Sequence, residues 1–158
     1  MTQQATTAEA RLASLGIQLP PAPTPFGAYV PAVQTGNLLF LSGMLATAGG
    51  AVTVKGILGK DLDVPAGKAA AHTAALNALA LIKKQIDSLD RVTRVVRLGI
   101  YMAATTEFTD HPQVANGASE LFRDVFGQEK ASARLVIGVN SLPLGSPIEL
   151  EVIVEVEA

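Results

Sequence analysis

Arg134 stands at the head of an apolar run, ARLVIGV, and four glutamates, Glu149, Glu151, Glu155 and Glu157, are threaded through a second run, IELEVIVEVE. The planar guanidinium fork matches a carboxylate in two parallel N–H···O bonds, so an arginine among small or apolar neighbours suits bidentate capture of an acid. A surface position or a structural ion pair would suit it equally, and the residue types leave the readings level. Alternation along each run assigns faces: Leu135, Ile137 and Val139 point one way, Arg134, Val136 and Gly138 the other. Ile148, Leu150, Val152, Val154 and Val156 likewise form an apolar face with the glutamates opposite. Glu155 and Glu157 read as solvated. Glu149, nearest the connecting turn and expected across from the arginine strand, is as well placed for acid–base work as for solvation.

These two runs need a scaffold, and the rest of the chain supplies one. TTAEARLASLG carries a capping box, Thr6 with Glu9, then Leu12 and Leu15 on one face and a stop at Gly16, which predicts a short helix. The proline-rich QLPPAPTP must be extended, and Gly36–Asn37 predicts a hairpin turn inside FGAYVPAVQTGNLLFLSG. GGAVTVKGILG reads as a short strand or loop. Pro65 opens a long helix, PAGKAAAHTAALNALALIKKQIDSL, with a core stripe of Leu76, Leu79, Ile82, Ile86 and Leu89. RVTRVVRLGIYMAA is β-branched and long enough for a central strand, and FTDHPQVANGASELFRDVFG is a helix between Pro112 and Gly127. After the first helix the order is strand, strand, helix, strand, helix, strand, strand, which predicts an α+β domain with helices on one face of a sheet. The strands are apolar on both faces, as in Leu38–Leu41 and Arg97–Met102, so the open face is expected to pack against another subunit.

Composition narrows the chemistry. A chain of 158 residues, 49% hydrophobic and 16% charged, builds one core and is far from the signature of disorder. Its apolar stretches are shorter than the ~20 residues of a membrane span. MTQQATTAEAR shows no basic start followed by an apolar run, so a cytoplasmic location is the expectation. With no cysteine there are no disulfides, thiol nucleophiles or thiolate metal sites. A net charge of -2 gives no general attraction to phosphate backbones, and the basic cluster Arg91, Arg94 and Arg97 reads as a solvated strand edge with Arg91 and Arg97 on one face, so no nucleic-acid partner is expected. His72 reads as a helix-face residue and His111 as a helix cap; two histidines this far apart do not make a metal site. No GxSxG elbow is present.

Three segments together carry a resemblance. FGAYVPAVQTGNLLFLSG, VANGASELF and ARLVIGVNSLPLGSPIELEVIV, in that order, resemble the Rid (YjgF) family of reactive-intermediate deaminases from about Phe26 to Val156. The resemblance implies residues 1–25 as an N-terminal helix and proline-rich extension, and 26–158 as a RidA-like, chorismate-mutase-like α+β domain forming a homotrimeric barrel with sites between subunits. It implies that Arg134 binds the carboxylate of a 2-imino or enamino acid and that Glu149 serves the water attacking the imine carbon. Tyr29, Ser42, Gly43 and Asn116 fall at other positions lining the family's site. The products would be a 2-keto acid and ammonia, with no metal or organic cofactor required. Val136, Ser119 and Met44 depart from the residues common in the family and imply a reshaped pocket. Two other functions stay open: a noncatalytic trimer binding small carboxylates, and the ribonuclease activity ascribed to some relatives, against which the acidic balance argues.

Overall fold

The computed structural model describes residues 6–158. Helix α1 (Ala8–Ser14) is followed by an extended segment and a hairpin of β1 (Ala32–Thr35) and β2 (Leu38–Leu41). Three short strands come next, β3 (Met44–Leu45), β4 (Thr47–Ala48) and β5 (Ala51–Val52), then the long helix α2 (Val64–Ile86) and strand β6 (Val92–Ala103). Helix α3 (His111–Phe126), β7 (Ala133–Val139) and β8 (Ile148–Val156) complete the chain. The main sheet has the order β1-β2-β8-β6-β7, with β3 also paired to β8. All its pairs are antiparallel except β6 with β7. The α+β prediction holds, and among the described residues no helix is long and apolar enough to cross a membrane.

Strand β8 shows why the architecture works: its burial alternates at every residue from Ile148 to Val156, with the five apolar side chains under the helices. Helix α2 starts at Val64, where the Asp63 carboxylate accepts from the Ala66 N–H (2.9 Å) and Pro65 loses no hydrogen bond in the first turn. Leu79, Ile82 and Ile86 are buried along it, Leu89 is buried in the 3₁₀ turn beyond, and Leu76 is only partly covered. Six alanines, with Gly67, Asn77 and Leu81, make up the rest of the buried face, and the small side chains let the helix lie close to the sheet. At Gly117 of α3 a methyl group would overlap the Lys68 carbonyl of α2, so the two helices touch backbone to backbone there.

Several local expectations are corrected. The N-cap of α1 is Thr7, whose hydroxyl accepts from the Ala10 N–H (3.3 Å), in place of Thr6. Glu9 turns outward from any capping box: it accepts from the Leu89 N–H (3.0 Å) and pairs with Lys83 (2.8 Å), tying α1 to the end of α2. Leu12 is buried, but Leu15 is exposed. Of the arginine cluster, Arg91 ends the 3₁₀ turn before β6, exposed Arg94 lies where β6 pairs with β8 alone, and only from Arg97 does β7 cover the other side; bulges between Val92 and Arg94 and between Val95 and Arg97 break the simple alternation. His111 is the first residue of α3, while Asp110 occupies the cap; the His111 ring packs edge-on against Phe108 at 5.2 Å.

Candidate functional site

Arg134 and Glu149 do not meet within one chain. Strand β6 separates their strands, with Leu98 opposite both Arg134 and Val152, and Tyr101 opposite Glu149. The expectation that Glu149 lies across from the arginine strand is therefore corrected. The offset is three residues along and two strands across, about 10 Å each way at ordinary strand spacing. Their faces also differ. Arg134 shares the helix side with Leu98, and its Nη1 donates to Asn116 Oδ1 (2.8 Å) and Ser119 Oγ (3.1 Å) on α3. Glu149 alternates with buried Ile148 and Leu150 and projects from the opposite face.

The arginine is oriented but not neutralised. Both partners are neutral acceptors three residues apart on one helix face, and among the described residues no carboxylate pairs with Arg134, which is exposed. Asn116 thus positions the guanidinium, and so does Ser119, which sequence comparison marked only as a departure from the family pattern. The signal was present: an asparagine and a serine at i, i+3 facing a lone strand arginine.

Among the glutamates of β8, Glu149 stands apart. Glu151 accepts from Arg97 Nε (3.2 Å) and Tyr101 Oη (3.4 Å), Glu155 accepts from Asn37 (3.1 Å) and Thr93 (2.7 Å), and Glu157 lies 3.9 Å from Arg91. Glu149 is partly buried, and loss of water is what pushes its carboxyl above the ordinary value of 4.5. It lies in a cavity of about 470 Å³ lined by Phe26, Gly27, Tyr29, Ser42, Gly43, Leu45, Pro143 and Leu144. That volume is in the range of small-molecule sites.

A bulge shapes this cavity. Phe40 faces Ile153 and Leu39 faces Val154, but beyond Ser42–Gly43 the register with β8 has moved by one residue, so that Leu45 faces Glu149. Gly43 passes so close to the Glu149 carboxylate that a Cβ there would overlap Oε1. The Ser42 hydroxyl donates to the Val30 carbonyl (2.6 Å) and its N–H to the Pro31 carbonyl (2.9 Å), clamping the Phe26–Pro31 segment over the pocket. Tyr29 Oη accepts from the Phe26 N–H (3.1 Å). Met44 is buried against the core, opposite Leu150. Asn77 is a positioning residue not singled out by its sequence. Buried in α2, its side-chain amide donates to the carbonyls of Leu45 (3.1 Å) and Thr47 (3.0 Å) and lies 3.1 Å from Thr47 Oγ1, fixing the strand that follows the bulge.

The sheet order with helices on one face is that of a chorismate-mutase-like α+β domain. The family model described as "YjgF/chorismate mutase-like, putative endoribonuclease" matches residues 9–156, and the chain belongs to that family. It is 42% identical over 149 residues to Protein TCP17 of Trypanosoma cruzi, covering 92% of each chain. It is 30% identical over 141 residues to a 2-iminobutanoate/2-iminopropanoate deaminase of Dermatophagoides farinae, covering 89% of this chain and 95% of the relative. A crystal structure of a "putative endoribonuclease" from Shewanella oneidensis superposes with a TM-score of 0.90 at 31% identity, over 95% of this chain and 99% of the other.

Proposed function

We propose that this protein hydrolyses reactive 2-imino and enamino acids to 2-keto acids and ammonia, in sites formed between copies of a homotrimer. The observation that carries this reading is the state of Glu149, a partly buried carboxylate without a cationic partner among the described residues, in a cavity of small-molecule size. A relative at 30% identity that bears the deaminase name supports the reaction class.

In this reading Arg134 of one copy grips the substrate carboxylate, and Glu149 of a neighbouring copy holds the water that attacks the imine carbon. The protonated imine is already electrophilic, so positioning supplies most of the catalysis. Water adds to the C=N carbon, Glu149 takes a proton from it and returns one to nitrogen, and the C–N bond breaks as C=O forms. One iminium and one water give one keto acid and one ammonium ion, so atoms and charge balance. Tyr29 and the backbone at Gly43 line the approach to the imine nitrogen. The iminium end of the substrate suits the Glu149 carboxylate, and a net charge of -2 gives no general attraction to the phosphates of RNA.

The test uses two inactive variants together. Imines are generated by an amino-acid oxidase, surviving imine is trapped, and turnover is compared for wild type, Arg134→Ala and Glu149→Gln. Each single variant loses at least about 100-fold in turnover, since one removes the oriented grip and the other the base. Random co-assembly of the two variants should then restore activity at about a quarter of the sites, those joining an intact Arg134 to an intact Glu149 from different copies. Two active single variants would remove these residues from the mechanism, and a co-assembled mixture as inactive as its parts would refute a site that joins Arg134 of one copy to Glu149 of another. Wild type that binds 2-keto acids by calorimetry yet consumes no imine would leave a carboxylate-binding protein.

A further inference from the structure

Three large side chains stand in water around the mouth of the Glu149 cavity: Phe26 at 52% exposure, Tyr29 at 48% and Leu144 at 52%. Leu144 is the most unusual. Its backbone lies at φ 59, ψ 14, in the left-handed region where a branched L side chain is strained. The turn around it closes through backbone alone, from the Gly145 N–H to the Leu142 carbonyl (3.3 Å) and from the Ser146 N–H to the Pro143 carbonyl (3.1 Å). Neither bond needs a leucine, and glycine or asparagine would adopt this conformation with less strain. A bulky apolar group is therefore kept where the backbone opposes it and its own chain leaves it uncovered, and strain of this kind concentrates where ligands bind. On the opposite lip the Phe26 N–H is held by the Tyr29 hydroxyl, and the Ser42 clamp at Val30 and Pro31 fixes the segment that carries both rings.

We propose that Phe26 and Leu144 form the side-chain pocket of this site and tune it to imino acids with bulky apolar side chains, branched aliphatic or aromatic; the proposal rests on the deaminase reading. Leu45 and Pro143 continue the apolar wall, and Glu149 is the one carboxylate in the lining. A methyl-sized substrate leaves the two lips in water. An acidic side chain would bring a second anion beside a carboxylate already short of water, which raises its cost further.

Substrate ranking provides the test. Each buried methylene is worth roughly fourfold, so the three extra carbons of a leucine-derived over an alanine-derived imine predict a kcat/KM ratio on the order of 50. Leu144→Asn should collapse that ratio to a few-fold while raising the melting temperature, because the backbone strain is relieved. Phe26→Ala should lower the ratio as a second variant on the other lip. A residue with only a structural role would shift stability and leave the ranking untouched. Wild type hydrolysing small or acidic imines best, or Leu144→Asn changing sedimentation but not the ratio, would overturn the pocket assignment and leave the deaminase reading standing. If wild type hydrolyses no imine, the deaminase reading fails and the ranking is read instead from calorimetric binding of 4-methyl-2-oxopentanoate against pyruvate. A flat ranking there overturns the pocket as well, and a preference for the larger acid that Leu144→Asn removes supports it.

Discussion

Gly43→Ala perturbs the proposed site through a single methyl group. Gly43 is not among the glycines with positive φ, so alanine fits its backbone and the whole effect is local. The new Cβ would overlap Glu149 Oε1 and come 3.0 Å from Cδ and 3.3 Å from Cγ. Glu149 cannot retreat through its backbone, because β8 is paired at that residue with Leu45 on one side and Tyr101 on the other. Its carboxylate must swing away by more than about 1 Å, and a displacement of that size costs about 100-fold in turnover, or about 2.7 kcal/mol of transition-state stabilisation. Stability should barely move. A gain of about 0.4–1 kcal/mol from the stiffer unfolded chain is set against about 0.5–1.5 kcal/mol for an off-rotamer glutamate. The assay is imine consumption, with melting temperature as the control and the Gly43→Ala, Glu149→Gln double variant as the diagnostic. If both changes act through one carboxylate, the double variant is no slower than the worse single one. Gly43→Ala at near wild-type turnover, or losses that multiply in the double variant, would refute the reasoning.

Two further outcomes are expected. Asn77→Ala strands the Leu45 and Thr47 carbonyls in a buried setting and should cost about 2–4 kcal/mol in urea unfolding, with a loss of turnover as β3 loosens; an unchanged midpoint would mean that water replaces the amide. Because burial raises the Glu149 carboxyl above 4.5, the folded protein binds that proton more tightly than the unfolded chain does. The stability this contributes is present below the ordinary carboxylate pKa and lost as pH rises through the raised value. Glu149→Gln should therefore gain melting temperature relative to wild type between pH 4 and pH 7, and the opposite trend would mean that the carboxylate is stabilised by a partner.

How much of this was legible depended on whether the signal is local. The Gly36–Asn37 turn, the Pro65 entry to α2 and the apolar alternation of β8 are decided by neighbours in sequence and appear as read. The capping threonine was displaced by one because Thr6 and Thr7 offer the same hydroxyl, and the choice falls to Glu9, drawn away by Lys83 and Leu89. Pairing was the harder part. Alternation told which way Arg134 and Glu149 point within their strands, but not that β6, from earlier in the chain, would insert between them. Asn77 looked like an ordinary helix residue because its acceptors lie 30 and 32 residues away. Leu144 carries no sequence mark at all, since a leucine before glycine is unremarkable until its φ is known.

The two halves of the proposed site are built on a common principle and by unrelated means. An aspartate at position 116 or 119 would orient Arg134 as well as the present side chains do, but it would also neutralise the guanidinium and compete with a substrate carboxylate for it. Asparagine and serine supply direction without charge. They hold their height above β7 because Gly117, between them, lets α3 settle onto the Lys68 carbonyl of α2. Glu149 has its freedom from the bulge at Ser42–Gly43, which opens the strand beside it, and its burial raises its proton affinity. Glu151, two residues on, shows the alternative: Arg97 and Tyr101 engage its carboxylate, so its lone pairs are already committed within the chain. Among the described residues, each chain thus holds a cation without an anion on one face of the sheet and an anion without a cation on the other. That separation has a consequence for assembly. Paired within a single chain the two charges would satisfy each other, whereas in the proposed shared site, brought together from different copies around a substrate, each would keep the charge that the proposed reaction uses.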